Sequence, residues 1–483
     1  MEPTLASDLE ALLHQAASLA ASFLERQQDP QARVVDHRPP EELARLLPLD
    51  LPREGRPTEE ALEDCARILQ HSVLTGHPRF LNQLFGGTDL AGVLGDWLAA
   101  AANTSMYTYE VAPAMTLLEG ALVREACRLF GVGGPAGGAG VFTPGGSLAN
   151  LMAVLAARDR AFPGARRHGL PAGARPVLFA SREAHYSIPR AAAVCGLGEE
   201  AVRPVAVDRR GALDPADLEA RVQEARDAGE NPFLVVCTAG TTVLGAFDPI
   251  EEAAAVARAH GLWLHVDAVW GGSAVFSPRH RALLAGTEQA DSLSWNPHKM
   301  LGLPLTCSLL LTAEAASLER SLAQEAGYLF HDPPGESADL GHRSLQCGRR
   351  VDALKLWLAW RVHGHAGFRR RVERHFALAR AFRKRLRARP AFELVREPVS
   401  CNVCFRYRPP RLRPPAAPEG ADPRLDEVTR RLRERLRAEG RWFVNYAPVD
   451  GVAALRLVLT HPRLREEDLD DLLDDLERLG RDL

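Results

Sequence analysis

Along residues 5–26, Leu5, Leu9, Leu12, Leu13, Ala16, Leu19, Ala20 and Phe23 recur at i, i+3, i+4 spacing, which predicts an amphipathic helix. The stretch from Asp36 to Pro57 is proline-rich, carries no apolar period and reads as an irregular arm. A helix and arm of this kind need a surface to pack on, and a partner subunit is the expected one. From about residue 115 to 310 short apolar runs alternate with helical stretches. The runs predicted as strands are Gly140–Phe142, Pro176–Ala180, Val202–Val207, Phe233–Cys237, Trp263–Val266, Ser292–Trp295 and Ser308–Leu311. Helical periods separate several of them, as in Leu148–Arg160, Pro215–Ala228 and Ile250–His260. Strand-helix alternation requires crossover connections and therefore a largely parallel sheet buried on both faces. Ligands of such sheets sit beyond the C-terminal ends of the strands. A long helical stretch begins at Arg349, a smaller β/α region at Phe392, and the proline-rich Arg408 to Pro423 reads as a surface loop. The last helix opens on Arg465-Glu466-Glu467-Asp468, whose acids suit a helix N-terminus. The predicted division is an N-terminal, dimer-packing helical segment over 1–114, a large domain over 115–365 and a small C-terminal domain over 366–483.

Composition narrows the class. A net charge of −3 over 483 residues provides no global pull toward nucleic acid or an acidic membrane. The clusters Arg369-Arg370-Arg371 and Arg383-Lys384-Arg385 lie in a helical pattern with Phe368, Val372, Phe376, Leu378 and Phe382, and read as a solvated face rather than a nucleic-acid site. No run of 18 apolar residues predicts a membrane span. Asp8, Glu10 and Glu25 interrupt the first apolar stretch and no basic residue precedes it, so it does not read as a secretory signal. Eight scattered cysteines suit a reducing compartment, and the expected location is cytoplasmic. Cys401 and Cys404 read as part of a buried strand, not as a metal or redox pair.

Candidate chemistry falls on three predicted strand ends. Thr143-Pro144-Gly145-Gly146-Ser147-Leu148-Ala149-Asn150 follows one strand and opens a helix, where glycines admit an anion to free N–H groups and Ser147 adds a hydroxyl. Alone it also reads as a tight turn with a helix cap, and it lacks the spacing of a nucleotide or dinucleotide loop. Asp267, in His265-Val266-Asp267-Ala268, is a carboxylate at a buried strand end; a protonated pyridine nitrogen is a cation that would pair with it, and a turn cap is the plainer reading. Lys299, in Asn296-Pro297-His298-Lys299, lies 32 residues beyond Asp267, one crossover unit away. A lysine facing such a crevice can form a Schiff base, although a lone lysine after a strand is usually solvated.

Together these motifs resemble the group II pyridoxal-phosphate (PLP)-dependent decarboxylases, and most closely the branch containing glutamate and cysteine sulfinate decarboxylases. His77 to Leu84 reads H-P-R-F-L-N-Q-L where that branch has H-P-R-F-F-N-Q-L, and Asn103 to Pro113 is similar to its N-T-S-x-Y-T-Y-E-I-A-P. Gly240 to Pro249 and Gln346 to Asp352 match as well, and the similarity runs from about residue 60 to the C-terminus. The resemblance implies an α/β, aspartate aminotransferase-like (fold type I) chain with a mostly parallel central sheet and a smaller C-terminal α/β domain. It also implies an obligate homodimer with its active site at the interface. By position, Lys299 would carry PLP covalently, Asp267 would face the pyridinium nitrogen and His185 would stack on the ring. Gly146, Ser147, Asn296 and His298 would hold the phosphate, with Thr242 near the ring. Gln83 and Arg456 would contact the substrate carboxylates, and Tyr328 would protonate the intermediate after CO₂ leaves. The segment from Tyr328 to Arg343, with Pro333-Pro334-Gly335, looks like a lid.

The implied reaction is α-decarboxylation of a small acidic amino acid. Ser105 resembles the cysteine sulfinate branch, where glutamate decarboxylases more often have Asn, and Leu81 departs from the usual second Phe of its motif. The expected order is cysteine sulfinate or aspartate, giving hypotaurine or β-alanine, and then glutamate, giving GABA. A PLP-dependent aminotransferase would share Asp267 and Lys299 and is the alternative from another reaction class.

Overall fold

Seven apolar runs become the strands of one sheet: β1 (Ala139–Thr143), β2 (Pro176–Ser181), β3 (Val202–Val205), β4 (Asn231–Thr238), β5 (Trp263–Ala268), β6 (Ser292–Trp295) and β7 (Ser308–Thr312). Their order is β1-β7-β6-β5-β4-β2-β3. The β2/β3, β2/β4, β4/β5 and β5/β6 pairs are parallel, while β7 runs antiparallel to both neighbours. Every residue of β1, β5, β6 and β7 is buried, the signature of a sheet covered on both faces. The coordinates come from a computed structural model that describes residues 9–331, 338–412 and 422–483. The first residues of the predicted N-terminal helix, the proline-containing centre of the predicted lid and most of the Arg408 to Pro423 loop lie outside the described residues.

The helices that close the crossovers start where local chemistry favours it. Helix Pro215–Asp227 has proline at its first position, and the Asp214 carboxylate accepts the Ala216 N–H at 2.9 Å. Helix Gly146–Ala161 buries Ala149, Met152, Ala153, Ala156 and Ala157 against the sheet, small residues that allow a close approach. The third strand ends at Val205, short of the expected Val207. Asp208 Oδ1 accepts the N–H groups of Arg210 and Ala212, and the resulting turn folds Val207 back onto Leu213. The expected irregular arm contains a short helix, Pro40–Leu46, that opens on proline with Glu41 and Glu42 in its first turn. The long helical segment Ala353–Ala388 is interrupted at Gly364, whose φ of 60° and ψ of 179° are non-helical.

The described chain forms two compact units. One comprises Thr88–Arg380 and Arg396–Cys404 and holds the seven-stranded sheet. The other comprises Met1–Gly87, Ala381–Val395 and Phe405–Leu483. Its strands are β8 (Phe392–Leu394), the Phe405–Tyr407 half of β9 (Asn402–Tyr407), β10 (Asn445–Val449) and β11 (Val452–Val458), in a four-stranded sheet of order β10-β11-β9-β8. Helix Glu466–Gly480 begins as the acidic sequence predicts, with Asp468 Oδ2 accepting the Arg465 N–H at 2.9 Å. The His77 to Gln83 stretch is tied to this unit by Leu81 N–H to the Phe443 carbonyl (2.9 Å) and Val458 N–H to the Leu81 carbonyl (3.2 Å).

A buried ion pair ties together parts of the larger unit that lie far apart in sequence. Arg349 Nη2 lies 2.5 Å from Glu119 Oε1, with side-chain exposures of 2% and 0%. The same guanidinium donates to the carbonyls of Met106 (2.7 Å) and Phe142 (3.1 Å), and Glu119 Oε1 also accepts the Phe142 N–H at 2.9 Å. Removing one partner strands the other charge in a dry interior. The Glu119→Ala variant is expected to lose about 3–5 kcal/mol of unfolding free energy, read by denaturant titration.

Candidate active site

The parallel strands β2, β4, β5 and β6 deliver candidate side chains to one edge. β5 and β6 pair with Asp267 opposite Ser294, and Asn296, His298 and Lys299 follow directly after β6. β1 runs in the same direction as β6, because β7 is antiparallel to both, so the Gly145-Gly146-Ser147 turn after β1 reaches the same edge. His185 lies on the turn after β2 and Thr242 on the turn after β4.

Asp267 is 5% exposed and surrounded by donors. Its Oδ1 accepts the Val269 N–H at 3.1 Å and lies 3.5 Å from the Ser294 hydroxyl, and its Oδ2 accepts from Asn150 Nδ2 at 2.9 Å. Asn150, the fifth residue of helix Gly146–Ala161, also reaches Ser187 Oγ (2.9 Å), Ser294 Oγ (2.9 Å) and His265 Nε2 (3.1 Å). Ser187 Oγ lies 2.9 Å from His185 Nδ1. His185 is half-buried; burial lowers its pKa, the charge of Lys299 lowers it further and that of Asp267 opposes the shift, so the three groups share one electrostatic neighbourhood. Burial pushes His265 down to about 4.

The turn after β1 is open on the ligand side. Gly145 has φ 141°, and a Cβ built there would meet nothing within 4 Å. A Cβ on Gly146 would lie 2.7 Å from Val269 Cγ2 and 3.3 Å from Asn296 Nδ2, so only glycine allows this approach. No side chain caps this helix N-terminus, and Ser147 is exposed beside it. Asn296 is 2% exposed and its Oδ1 has no hydrogen-bond partner, while its Nδ2 lies 3.2 Å from His298 Nε2. His298 Nδ1 sits 2.7 Å from the Cys307 carbonyl, and burial pushes this imidazole down to about 4 against that contact. An uncapped helix start and the Ser147 hydroxyl form a donor set for a phosphate, and a buried carboxylate nearby suits a ring cation.

Lys299 is held through its backbone. Its N–H donates to the Asn296 carbonyl at 3.0 Å and its carbonyl accepts the Gly302 N–H at 3.1 Å. The carbonyls that follow are each taken by a donor from elsewhere. His375 Nε2 lies 3.2 Å from the Met300 carbonyl, Arg371 donates to Leu301, the Asp89 N–H donates to Gly302 at 3.0 Å, and Lys355 Nζ to Thr306 at 2.6 Å. Asp89 in turn accepts from Arg371 Nη2 at 2.8 Å and lies 2.6 Å from His363 Nε2. Sequence reasoning included Asn150 in the motif after β1 without giving it a role, and it missed Arg371, His375 and Lys355. A lone amide on the otherwise apolar buried face of helix Gly146–Ala161 was the available signal for the first; the others carry none, because their partners are backbone carbonyls.

Thr242 is half-buried, and its carbonyl accepts from Asn402 Nδ2 at 3.1 Å. Ser105 Oγ accepts the Arg349 N–H at 3.2 Å and lies 3.3 Å from the Cys347 carbonyl, so this hydroxyl is engaged with the backbone after Gln346. Tyr328 is 83% exposed and lies close enough to Tyr107 to act on its ionisation. In the smaller unit Leu81 is fully buried, Gln83 is exposed, and the buried Arg456 donates from Nη2 to the carbonyl of Asn82, between them in sequence.

With this geometry in place, comparison with known proteins decides the family. The family model described as the pyridoxal-dependent decarboxylase conserved domain matches residues 40–408. The chain belongs to the pyridoxal-dependent decarboxylases. Cysteine sulfinic acid decarboxylase from Homo sapiens is 43% identical over 490 residues, covering 100% of this chain and 99% of that protein. Acidic amino acid decarboxylase GADL1 from Bos taurus is 42% identical, covering 94% of this chain and 88% of that protein. The crystal structure of mouse CSAD superposes with a TM-score of 0.93 at 42% identity, covering 98% of this chain and 99% of that one. The likeness therefore extends beyond the stretch from residue 60 that the motifs mark. The protein is an amino-acid decarboxylase of the fold type I class, and its cofactor is PLP.

The buried imidazoles of this decarboxylase leave a pH signature. A folded-state pKa near 4 for His265, against 6.5 ordinarily, means that the unfolded chain binds more protons between those values. The stability is complete above pH 6.5 and falls as the pH drops toward 4. Each such histidine adds up to about 1.4 kcal/mol per pH unit to that slope. His265→Gln should remove one such increment relative to the unaltered enzyme, measured by chemical denaturation across this interval.

Proposed function

We propose that the protein removes the α-carboxylate of a small acidic L-amino acid as CO₂, with cysteine sulfinate or aspartate preferred and hypotaurine or β-alanine as product; glutamate, giving GABA, is the second reading. The observation that carries the acidic substrate is the 42–44% identity, over nearly the full chain, to proteins named cysteine sulfinic acid decarboxylase and acidic amino acid decarboxylase. Lys299 Nζ holds PLP covalently, with Gly146, Ser147, Asn296 and His298 around its phosphate. Asp267 would face the ring nitrogen, His185 would cover the ring face and Thr242 would flank it. PLP supplies the electron sink for the pair left on Cα when CO₂ departs. Gln83 and Arg456 take the carboxylates of the substrate, and Leu81 and Ser105 set the shape of the pocket. Tyr328 holds the proton that Cα takes up. Asp267 and its donors are in place before the reaction begins, which is electrostatic preorganisation.

The test is parallel measurement of CO₂ and amine from PLP-loaded enzyme offered cysteine sulfinate, aspartate and glutamate. One methylene is worth about 10- to 200-fold in kcat/KM, and cysteine sulfinate and aspartate are expected to lead glutamate by that margin. Lys299→Ala should lose the long-wavelength absorbance of the bound cofactor and at least about 10³-fold in turnover. Formation of a keto acid without CO₂ would instead identify an aminotransferase.

A homodimer in a reducing cytoplasm belongs to the same reading. Leu90, Leu94, Trp97 and Leu98 form an exposed apolar stripe on helix Leu90–Ala102, near in sequence to exposed Tyr109, Val111 and Leu117. All eight cysteines are free thiols, and no helix among the described residues is long and apolar enough to cross a membrane. Replacing Leu94 and Leu98 together by Asp should halve the mass measured by sedimentation and abolish decarboxylation; a double variant that stays dimeric would reject this face as the interface.

A further inference from the structure

The hydrogen bonds around Asn150 have a direction, and that direction can be followed from end to end. A carboxylate only accepts, so the atom of Asn150 facing Asp267 Oδ2 at 2.9 Å is the NH₂ group. The same NH₂ faces Ser187 Oγ at 2.9 Å, and the amide carbonyl is left toward Ser294 Oγ and His265 Nε2. Both of those groups must therefore donate. His265 carries its proton on Nε2, and its Nδ1 accepts from the Ser292 hydroxyl 2.8 Å away, whose oxygen also accepts the Trp263 Nε1–H at 2.8 Å. All four hydrogen-bonding positions of the Asn150 amide are used, at a site where Asn150, His265, Ser187 and Ser294 are each at most 2% exposed.

The other arm runs to the ring-stacking histidine. Ser187 Oγ accepts from Asn150, which leaves its own hydrogen for His185 Nδ1 at 2.9 Å, and the Ser187 N–H points to the same nitrogen at 3.2 Å. Two donors on Nδ1 leave the imidazole proton on Nε2.

We propose that Asn150 is a positioning residue that takes its orientation from the Asp267 carboxylate and passes it through Ser187 to His185, presenting that ring as the Nε2–H tautomer. The inference rests on the assignment of Asp267 and His185 to PLP. Asn150 touches neither cofactor nor substrate in this scheme. It couples the group at the ring nitrogen to the group on the ring face, so that neither turns without the other. Burial acts in the same direction, by lowering the His185 pKa and keeping the ring neutral.

The experiment has two readouts. Nitrogen-15 histidine NMR of the full chain, with and without PLP, should show His185 as the Nε2–H tautomer; an Nδ1–H tautomer overturns the proposal. Asn150→Asp keeps the size of the side chain but replaces the two N–H donors by a carboxylate, and Asn150→Ala empties the position. Both are expected to lose about 10- to 100-fold in kcat, as is usual for residues that orient a catalytic group, with KM for the amino acid changed less than twofold. Asn150→Asp with the kcat of the unaltered enzyme means that space filling is enough and overturns the proposal, and so does a loss in either variant that follows thermal stability alone. Asp267→Ala and His185→Ala separate this outcome from the underlying site assignment: if both bind PLP and turn over normally, the assignment fails whatever the tautomer.

Discussion

Burying one carboxylate without neutralising it is the constraint on which the site depends. Asp267 lies at the C-terminal end of β5, almost out of solvent, where an uncompensated charge would cost several kcal/mol. The fold answers with donors from two directions, the next turn of its own chain at Val269 and the helix after β1 at Asn150, with the Ser294 hydroxyl of the neighbouring strand 3.5 Å away. This compensation brings β5, β6 and helix Gly146–Ala161 into one registered assembly. It also leaves the carboxylate ready for a ring cation, because those donors are provided by the fold and need no rearrangement when a ligand arrives.

The lysine is treated differently. The backbone that follows it is held instead, since the carbonyls of Met300, Leu301, Gly302 and Thr306 are occupied by His375, Arg371, the Asp89 amide and Lys355. Asp89 links two of these supports by accepting from Arg371 and packing against His363. Charge-assisted bonds to carbonyls are stronger than neutral ones, and they fix the loop that follows Lys299. The Arg369 to Arg371 cluster illustrates the limit of composition as a guide: Arg371 is turned inward to this loop, whereas a run of arginines in a helical period reads as a solvated face.

Much of the architecture was legible in the chain. Buried apolar runs mark all seven strands of the large sheet, and the boundaries hold within two residues, including the end of β3, where Asp208 turns the chain after Val205. The strand-end placement of Asp267 and Lys299 was legible as well, because parallel sheets deliver side chains to one edge and spacing tells which edge. The helix within the proline-rich arm was missed, since prolines that read as breakers at Pro39 and Pro40 also start helices. The break at Gly364 and the Glu119–Arg349 pair were illegible for another reason: each is defined by what a distant segment brings to it.

By itself the sequence determined the fold class, the cofactor edge and the residue types for PLP chemistry, since these follow from periodicity, from spacing along consecutive strands and from motifs that are contiguous in the chain. Tertiary structure alone decided which polar groups those residues meet. Asn150 lies 117 positions from Asp267 and 115 from His265, yet it is bonded to both. A hydrogen bond requires two groups to be within about 3 Å at a suitable angle. Only the folded chain sets that separation, because sequence distance carries no information about it once the strands have crossed over.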